Sequence, residues 1–217
     1  MSAPGSGGGV FAEQGLFVCF EGGEGAGKST QSRLLAEWLE QQGLTVLLTF
    51  EPGDTGVGKE LRRIVLDPAT GELSARTEAL IYAADKAEHV DHVVLPALAR
   101  GEVVITDRYV DSALAYQGAG RTLEVSEVEQ VNRWATGDLR PHVTVVLDLE
   151  PQAGLGRFTE RDRIEGQSLE FHQRVRQGFL RLAGADPDHY LVLDARQPVD
   201  AIAAAIRARV APLLEQR

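Results

Sequence analysis

The most specific chemistry in the chain lies in nine consecutive residues, Gly22-Gly23-Glu24-Gly25-Ala26-Gly27-Lys28-Ser29-Thr30, which match G-x-x-x-x-G-K-[ST] at every fixed position. The glycines let successive backbone N–H groups converge on phosphate oxygens, and a helix starting there directs its positive end at the same anion. Lys28 adds a mobile cation for the β and γ phosphates of a nucleotide, and Ser29 carries the hydroxyl that ligates Mg²⁺ in such loops. A glycine-rich turn that only connects a strand to a helix is the bland alternative. It is disfavoured because an apolar run, Leu16 to Phe20, precedes the pattern and a helical pattern follows it.

A second reactive set begins at Asp107-Arg108-Tyr109, directly after the apolar run Val103 to Thr106. An arginine at the end of a strand can face a phosphate. Ser112, Tyr116 and Gln117 follow closely and supply a hydroxyl, a ring and a carboxamide able to hold a base. The competing reading of this segment pairs Arg108 with an acidic neighbour and packs Tyr116 in the core. Further on, Arg157, Arg161 and Arg163 form a cluster whose bland reading is a solvated helix face.

Parallel strands and helices must position these groups. Short apolar runs stand at Leu16 to Phe20, Leu44 to Phe50, Val103 to Thr106, Val143 to Leu149 and Tyr190 to Leu193. Between and after them the spacing predicts helices over Gln31 to Gln41, Leu61 to Leu66, Thr77 to Leu98, Val125 to Ala135, Ser168 to Leu182 and Val199 to Leu214. The alternation is that of a doubly wound α/β fold with its site at the carboxyl ends of the strands.

The 217 residues suit one domain, taken as 16–217, preceded by a disordered extension over 1–15 that lacks the basic and apolar regions of a signal peptide. A formal charge of −10 argues against a general nucleic-acid surface, so an anionic substrate needs a local basic pocket. No apolar run approaches the roughly 20 residues that span a bilayer. The lone Cys19 sits in an apolar run, which suggests a buried thiol and fits a reducing cytoplasm. The three lysines, Lys28, Lys59 and Lys86, do not supply the Asn/Thr-Lys-x-Asp segment of guanine-reading GTPases. The strands ending in Asp107-Arg108 and Asp148-Leu149 lack the Asp-Glu of the extended regulatory ATPases.

Taken in order, Phe20 to Thr30, Glu51-Pro52-Gly53, Asp107 to Gln117 and Asp162-Arg163-Ile164-Glu165 closely resemble the motifs of bacterial thymidylate kinases, and the resemblance runs over residues 16 to 214. It implies an α/β P-loop kinase fold with a five-stranded parallel sheet flanked by helices, a mobile lid and a homodimer. It also implies transfer of the ATP γ-phosphoryl group to dTMP, with Mg²⁺, in dTTP synthesis. By the same resemblance Glu51 orients the dTMP site, Arg62 and Arg108 reach its phosphate, and Tyr82 takes the place of a phenylalanine against thymine. Lys86 joins the acceptor cations, while Ser112, Tyr116 and Gln117 line the nucleoside pocket and Arg196-Gln197 lies near adenine. Arg157, Arg161 and Arg163 fall where the family has its lid, and they stand in for a P-loop cation that Glu24 cannot provide. Phe50 and Lys86 stand where the family commonly has arginine, and Asp54 replaces a frequent glycine. Two other readings are a deoxynucleoside kinase, which takes a neutral acceptor, and a nucleotide-dependent regulatory module. The cations Arg62, Lys86 and Arg108 favour an acceptor that already carries phosphate.

Overall fold

A computed structural model describes residues 9–121, 123–157, 159 and 161–215. The five apolar runs form strands β1 (Leu16–Glu21), β2 (Val46–Phe50), β3 (Val103–Asp107), β4 (Val143–Asp148) and β5 (Tyr190–Asp194). They pair in the order β2-β3-β1-β4-β5, and every pairing is parallel. The central strands β1, β3 and β4 are apolar without alternation because helices cover both faces of the sheet. From one face Val18, Phe20, Ile105, Val145 and Leu147 pack with Leu35, Leu39, Ile202 and Ile206; from the other Phe17, Cys19 and Val104 pack with Val90, Val94 and Leu98. Because β1 lies between β3 and β4, the chain leaves it toward one edge and later returns to the other. That reversal opens a crevice at the carboxyl ends of β1 and β3, where the P-loop and Arg108 lie.

The helices are α1 (Lys28–Gln41), α2 (Gly56–Leu66), α3 (Ala75–His89), α4 (Leu95–Ala99), α5 (Val110–Ala113), α6 (Val125–Thr136), α7 (Pro151–Leu155), α8 (Leu169–Ala185) and α9 (Val199–Leu214). Several bounds differ from the sequence expectation. α1 starts at Lys28 rather than Gln31, directly from the loop. α2 starts at Gly56 rather than Leu61, since Thr55 Oγ1 accepts the Gly58 N–H and caps a first turn whose glycines disguise it. The helix expected over Thr77 to Leu98 is interrupted by a π turn at Val90–Val94, just before Pro96, which cannot donate to the ladder. A second π turn, Leu114–Gly120, carries Tyr116 and Gln117. Strand β2 begins at Val46 rather than Leu44.

Residues 1–8 of the expected extension lie outside the described residues. Nearer the body, Val10 N–H donates to Asp138 O at 2.9 Å and Val10 O accepts from Arg140 N–H at 2.8 Å. Among the described residues no helix is long and apolar enough to cross a membrane.

Candidate active site

In the loop from Gly22 to Gly27, Gly22 and Gly25 leave almost no clearance to the backbone that they face, while Gly23 and Gly27 face open space. A Cβ on Gly22, whose φ is +133°, would lie 2.4 Å from Leu147 O. One on Gly25 would lie 2.7 Å from Gly154 O, and one on Gly154 would lie 2.0 Å from Glu24 O. The loop therefore meets α7 backbone to backbone at Gly25 and Gly154. Lys28 Nζ donates to Gly22 O and Gly23 O, each at 3.0 Å, which holds the cation over the loop. Burial and the nearby Arg108 both depress the Lys28 pKa. Ser29 Oγ donates to Asp107 Oδ2 at 2.8 Å, so the loop hydroxyl and a strand-end carboxylate share one exposed spot. Thr30 is exposed and Ala26 is buried beneath the loop.

Arg108 sits at the centre of the crevice with φ +74°, a conformation that disfavours any residue with a Cβ. Its surroundings impose that shape: Arg108 N–H donates to Phe20 O at 2.9 Å, and Arg108 O accepts from Thr106 Oγ1 at 2.9 Å. The guanidinium stacks over Tyr116 at 5.1 Å and donates through Nη2 to both carboxylate oxygens of Glu24 at 2.9 Å. Tyr116 Oη also donates to Glu24, at 2.7 Å. Burial alone would raise the Glu24 pKa, but Arg108, Lys28 and Tyr116 outweigh it and hold that carboxyl at about 2. Arg108 thus has an acidic partner and Tyr116 is buried, and both also line a cavity.

That cavity is lined by Glu51, Arg62, Tyr82, Lys86, Arg108, Ser112, Tyr116 and Gln117, together with Glu24, Pro52, Leu66, Ala113, Asp162, Ile164 and Glu165. The eight acceptor residues named from the sequence therefore converge on one space. Lys86 is not on the surface: it is 2% exposed, its Nζ is 3.5 Å from Glu51 Oε2, and it lies 5.7 Å over the Tyr82 ring. Glu51 Oε1 is 2.7 Å from His89 Nδ1, and His89 Nε2 is 2.6 Å from Thr49 Oγ1. Arg62 donates to Pro52 O at 2.7 Å and faces the ring of Phe50, the residue found where arginine was expected. Asp54 accepts from Thr49 Oγ1 at 2.5 Å, so this departure ties the turn to β2.

The arginine cluster does not act as one group. Arg157 Nη1 donates to Gly25 O at 2.6 Å, at the mouth of the P-loop, and Arg161 is exposed. Arg163 instead turns inward, donating to Val65 O at 2.7 Å and pairing with Glu78. Glu78 is fully buried and also accepts from Gln117 at 3.1 Å and twice from Arg121 at 3.0 Å. At the far side of the loop, Arg196 is exposed and forked onto Asp194, while Gln197 N–H donates to Asp194 O at 3.2 Å. Sequence reasoning missed Asp107, Glu78, His89 and Glu21 as site residues. Asp107 and Glu21 carried a signal, each standing at the end of an apolar run, whereas Glu78 and His89 lie within a helical stretch and find their partners across long separations.

With this geometry established, the chain was compared with known proteins. A family model described as thymidylate kinase matches residues 20–206. A thymidylate kinase from Cutibacterium acnes is 55% identical over 202 residues, covering 93% of this chain and 99% of that protein. One from Clavibacter sepedonicus is 52% identical over 204 residues, covering 92% and 96%. Among solved structures, a thymidylate kinase from Ehrlichia chaffeensis superimposes with a TM-score of 0.76 at 29% identity, covering 91% of this chain and 99% of that one.

Proposed function

The chain belongs to the thymidylate kinase family, and from that premise we propose how its own residues carry out phosphoryl transfer from ATP to dTMP. Membership makes it a phosphotransferase that takes the γ-phosphoryl group of ATP and yields dTDP and ADP. The observation that carries the residue assignment is the convergence of eight acceptor-site side chains on one cavity whose Arg108 edge abuts the P-loop.

Transfer of this kind requires two anions held in line and charge compensated on the moving oxygens; it needs little covalent chemistry from the protein. The loop amides and Lys28 hold the donor phosphates. Arg108, Arg62 and Lys86 hold the acceptor, with Tyr82 and Gln117 flanking its base and Glu51 orienting Lys86. Glu24 and Tyr116 fix the Arg108 guanidinium in advance, so less side-chain freedom is lost when phosphate arrives. Arg157 and Arg161 supply the cations that the P-loop lacks, and closure of their segment excludes water. Arg163, held by Glu78, anchors that segment instead of contacting phosphate. Arg196 and Gln197 border the adenine.

Oxygen donors at the end of β3 suit Mg²⁺, a hard cation that keeps much of its water and binds substrate phosphates. Ser29 and Asp107 are the residues that would hold it, and the described residues contain no cluster of three or more His, Cys, Asp or Glu that forms a dedicated cage. When bound it neutralises charge on the β and γ phosphates. The protein acts in the cytoplasm as a homodimer; Leu80 and Leu95, exposed on the long α3–α4 run, offer apolar surface for a second copy. Light scattering should give twice the 23.5 kDa chain mass. The enzymatic test is ADP release with dTMP, with thymidine and with neither. Release that is equal in all three would sink the reading, and preference for thymidine would indicate a nucleoside kinase.

A further inference from the structure

We propose that Glu21, a residue outside the acceptor cavity, is a positioning residue that sets the direction of the Ser112 hydroxyl proton and the posture of the turn bearing Arg108. The inference rests on the dTMP-kinase reading and adds to it a control on which substrate groups Ser112 can bind.

Glu21 ends β1 and is fully buried. Its Oε1 accepts the N–H groups of Tyr109 at 2.9 Å and Ser112 at 3.0 Å, and its Oε2 accepts from Ser112 Oγ at 2.6 Å. One amide immediately precedes α5 and the other lies within it, so one carboxylate pins both ends of the tight passage from Tyr109 to Ser112, directly after Arg108. A carboxylate only accepts hydrogen bonds. The Ser112 proton must therefore point at Glu21, away from the cavity that Ser112 lines. Arg108 Nη1 donates to the same oxygen at 3.3 Å. What Ser112 offers the substrate is a lone pair, suited to an N–H or hydroxyl donor on the nucleotide and unsuited to an acceptor.

Burial, and then the charge of Asp111, raise the Glu21 pKa to about 7, which brings its titration into the working range. The other groups facing it are the Cys19 thiol on β1, Arg108, Lys28 from α1 and Tyr190 from β5. Above that pH the carboxylate holds the hydroxyl in place. As pH falls through it, protonated Glu21 becomes a donor, the Ser112 proton swings toward the cavity, and affinity for dTMP falls.

Glu21→Gln tests this without emptying the site, because the amide oxygen still accepts both N–H groups while the NH₂ reverses the bond to Ser112. The expected result is a KM for dTMP raised about 10-fold with the KM for ATP within about twofold. In a Ser112→Ala background the same change should add less than about twofold. The acid-side rise in dTMP KM with a midpoint near 7 should vanish in both single variants, leaving only the nucleotide phosphate's own titration near a pKa of about 6. Equal shifts in both backgrounds, equal shifts for both substrates, or an acid limb that survives in Glu21→Gln would overturn the proposal. If Glu21→Gln does not fold, the Ser112→Ala pH profile against the parent decides alone. Absence of dTMP turnover in the parent protein would instead remove the functional reading beneath it.

Discussion

Replacing Lys86 by methionine keeps the aliphatic stem and removes one charge from a closed interior. Lys86 and Glu51 are 2% and 3% exposed, and Glu51 Oε2 has no hydrogen-bond partner, so the ammonium 3.5 Å away compensates it electrostatically. Deleting one member of a buried pair typically costs about 3–5 kcal/mol, because the other charge is left uncompensated. Here the lower end applies, since His89 still contacts Glu51 Oε1 at 2.7 Å. A loss of about 3 kcal/mol in a domain of this size lowers Tm by roughly 6–12 °C. The second expected effect is on the substrate. The ammonium lies over the Tyr82 ring and faces the acceptor cavity, so the KM for dTMP should rise about 10-fold, on the order of 1.4 kcal/mol, with a smaller effect on ATP. Lys86→Arg retains the charge and should keep the dTMP KM within about threefold or lower it. Thermal unfolding with and without dTMP, together with titration of each substrate, separates the two roles. A methionine variant that melts with the parent refutes the ion-pair argument, and unchanged dTMP kinetics would leave Lys86 as scaffold only.

Three further outcomes follow from the geometry. Lys28→Ala should reduce turnover by about 10²-fold or more while leaving the unfolding midpoint within a few degrees, read by coupled ADP release and calorimetry. Arg157→Ala should lower turnover without loss of stability, whereas Arg163→Ala should lower stability by about 1–3 kcal/mol because Glu78 loses a partner; parallel melts and initial rates give the contrast, and identical behaviour of the two would contradict it. Asp107→Asn should raise the Mg²⁺ concentration for half-maximal rate by about 10-fold, measured by metal titration at saturating nucleotides.

The sequence exposed what is local. The P-loop and the strand-end Arg108 were legible because their chemistry lies in consecutive residues beside apolar runs. Ser112, Tyr116 and Gln117 were legible as polar and aromatic groups close behind Arg108; Glu51, Arg62, Tyr82 and Lys86 came by family resemblance, and the cavity brings them together. What pairs with what was not legible. Glu51, directly after β2, meets Lys86 and His89 of α3, and Glu78 gathers Gln117 and Arg121 from one turn and Arg163 from another segment. A charge pattern gives no direction for such long-range choices, so Arg163 reads like its neighbours Arg157 and Arg161 although it points inward. The π turn at Val90–Val94 was likewise hidden, because a one-residue slip in a helical ladder preserves an apolar pattern that already looks helical.

The backbone contact between the P-loop and α7 bears on how this sequence can diverge. Gly25 and Gly154 belong to segments 129 residues apart, yet neither can gain a side chain unless the other segment retreats. Each substitution alone meets a carbonyl oxygen, and making both would worsen the clash. Two remote positions are thus held to one residue type by their mutual proximity, so drift in this part of the lineage must pass through a shift of the α7 backbone. A homologue with alanine at either position should show α7 displaced from the loop, and with it the root of the arginine-bearing segment that α7 leads into.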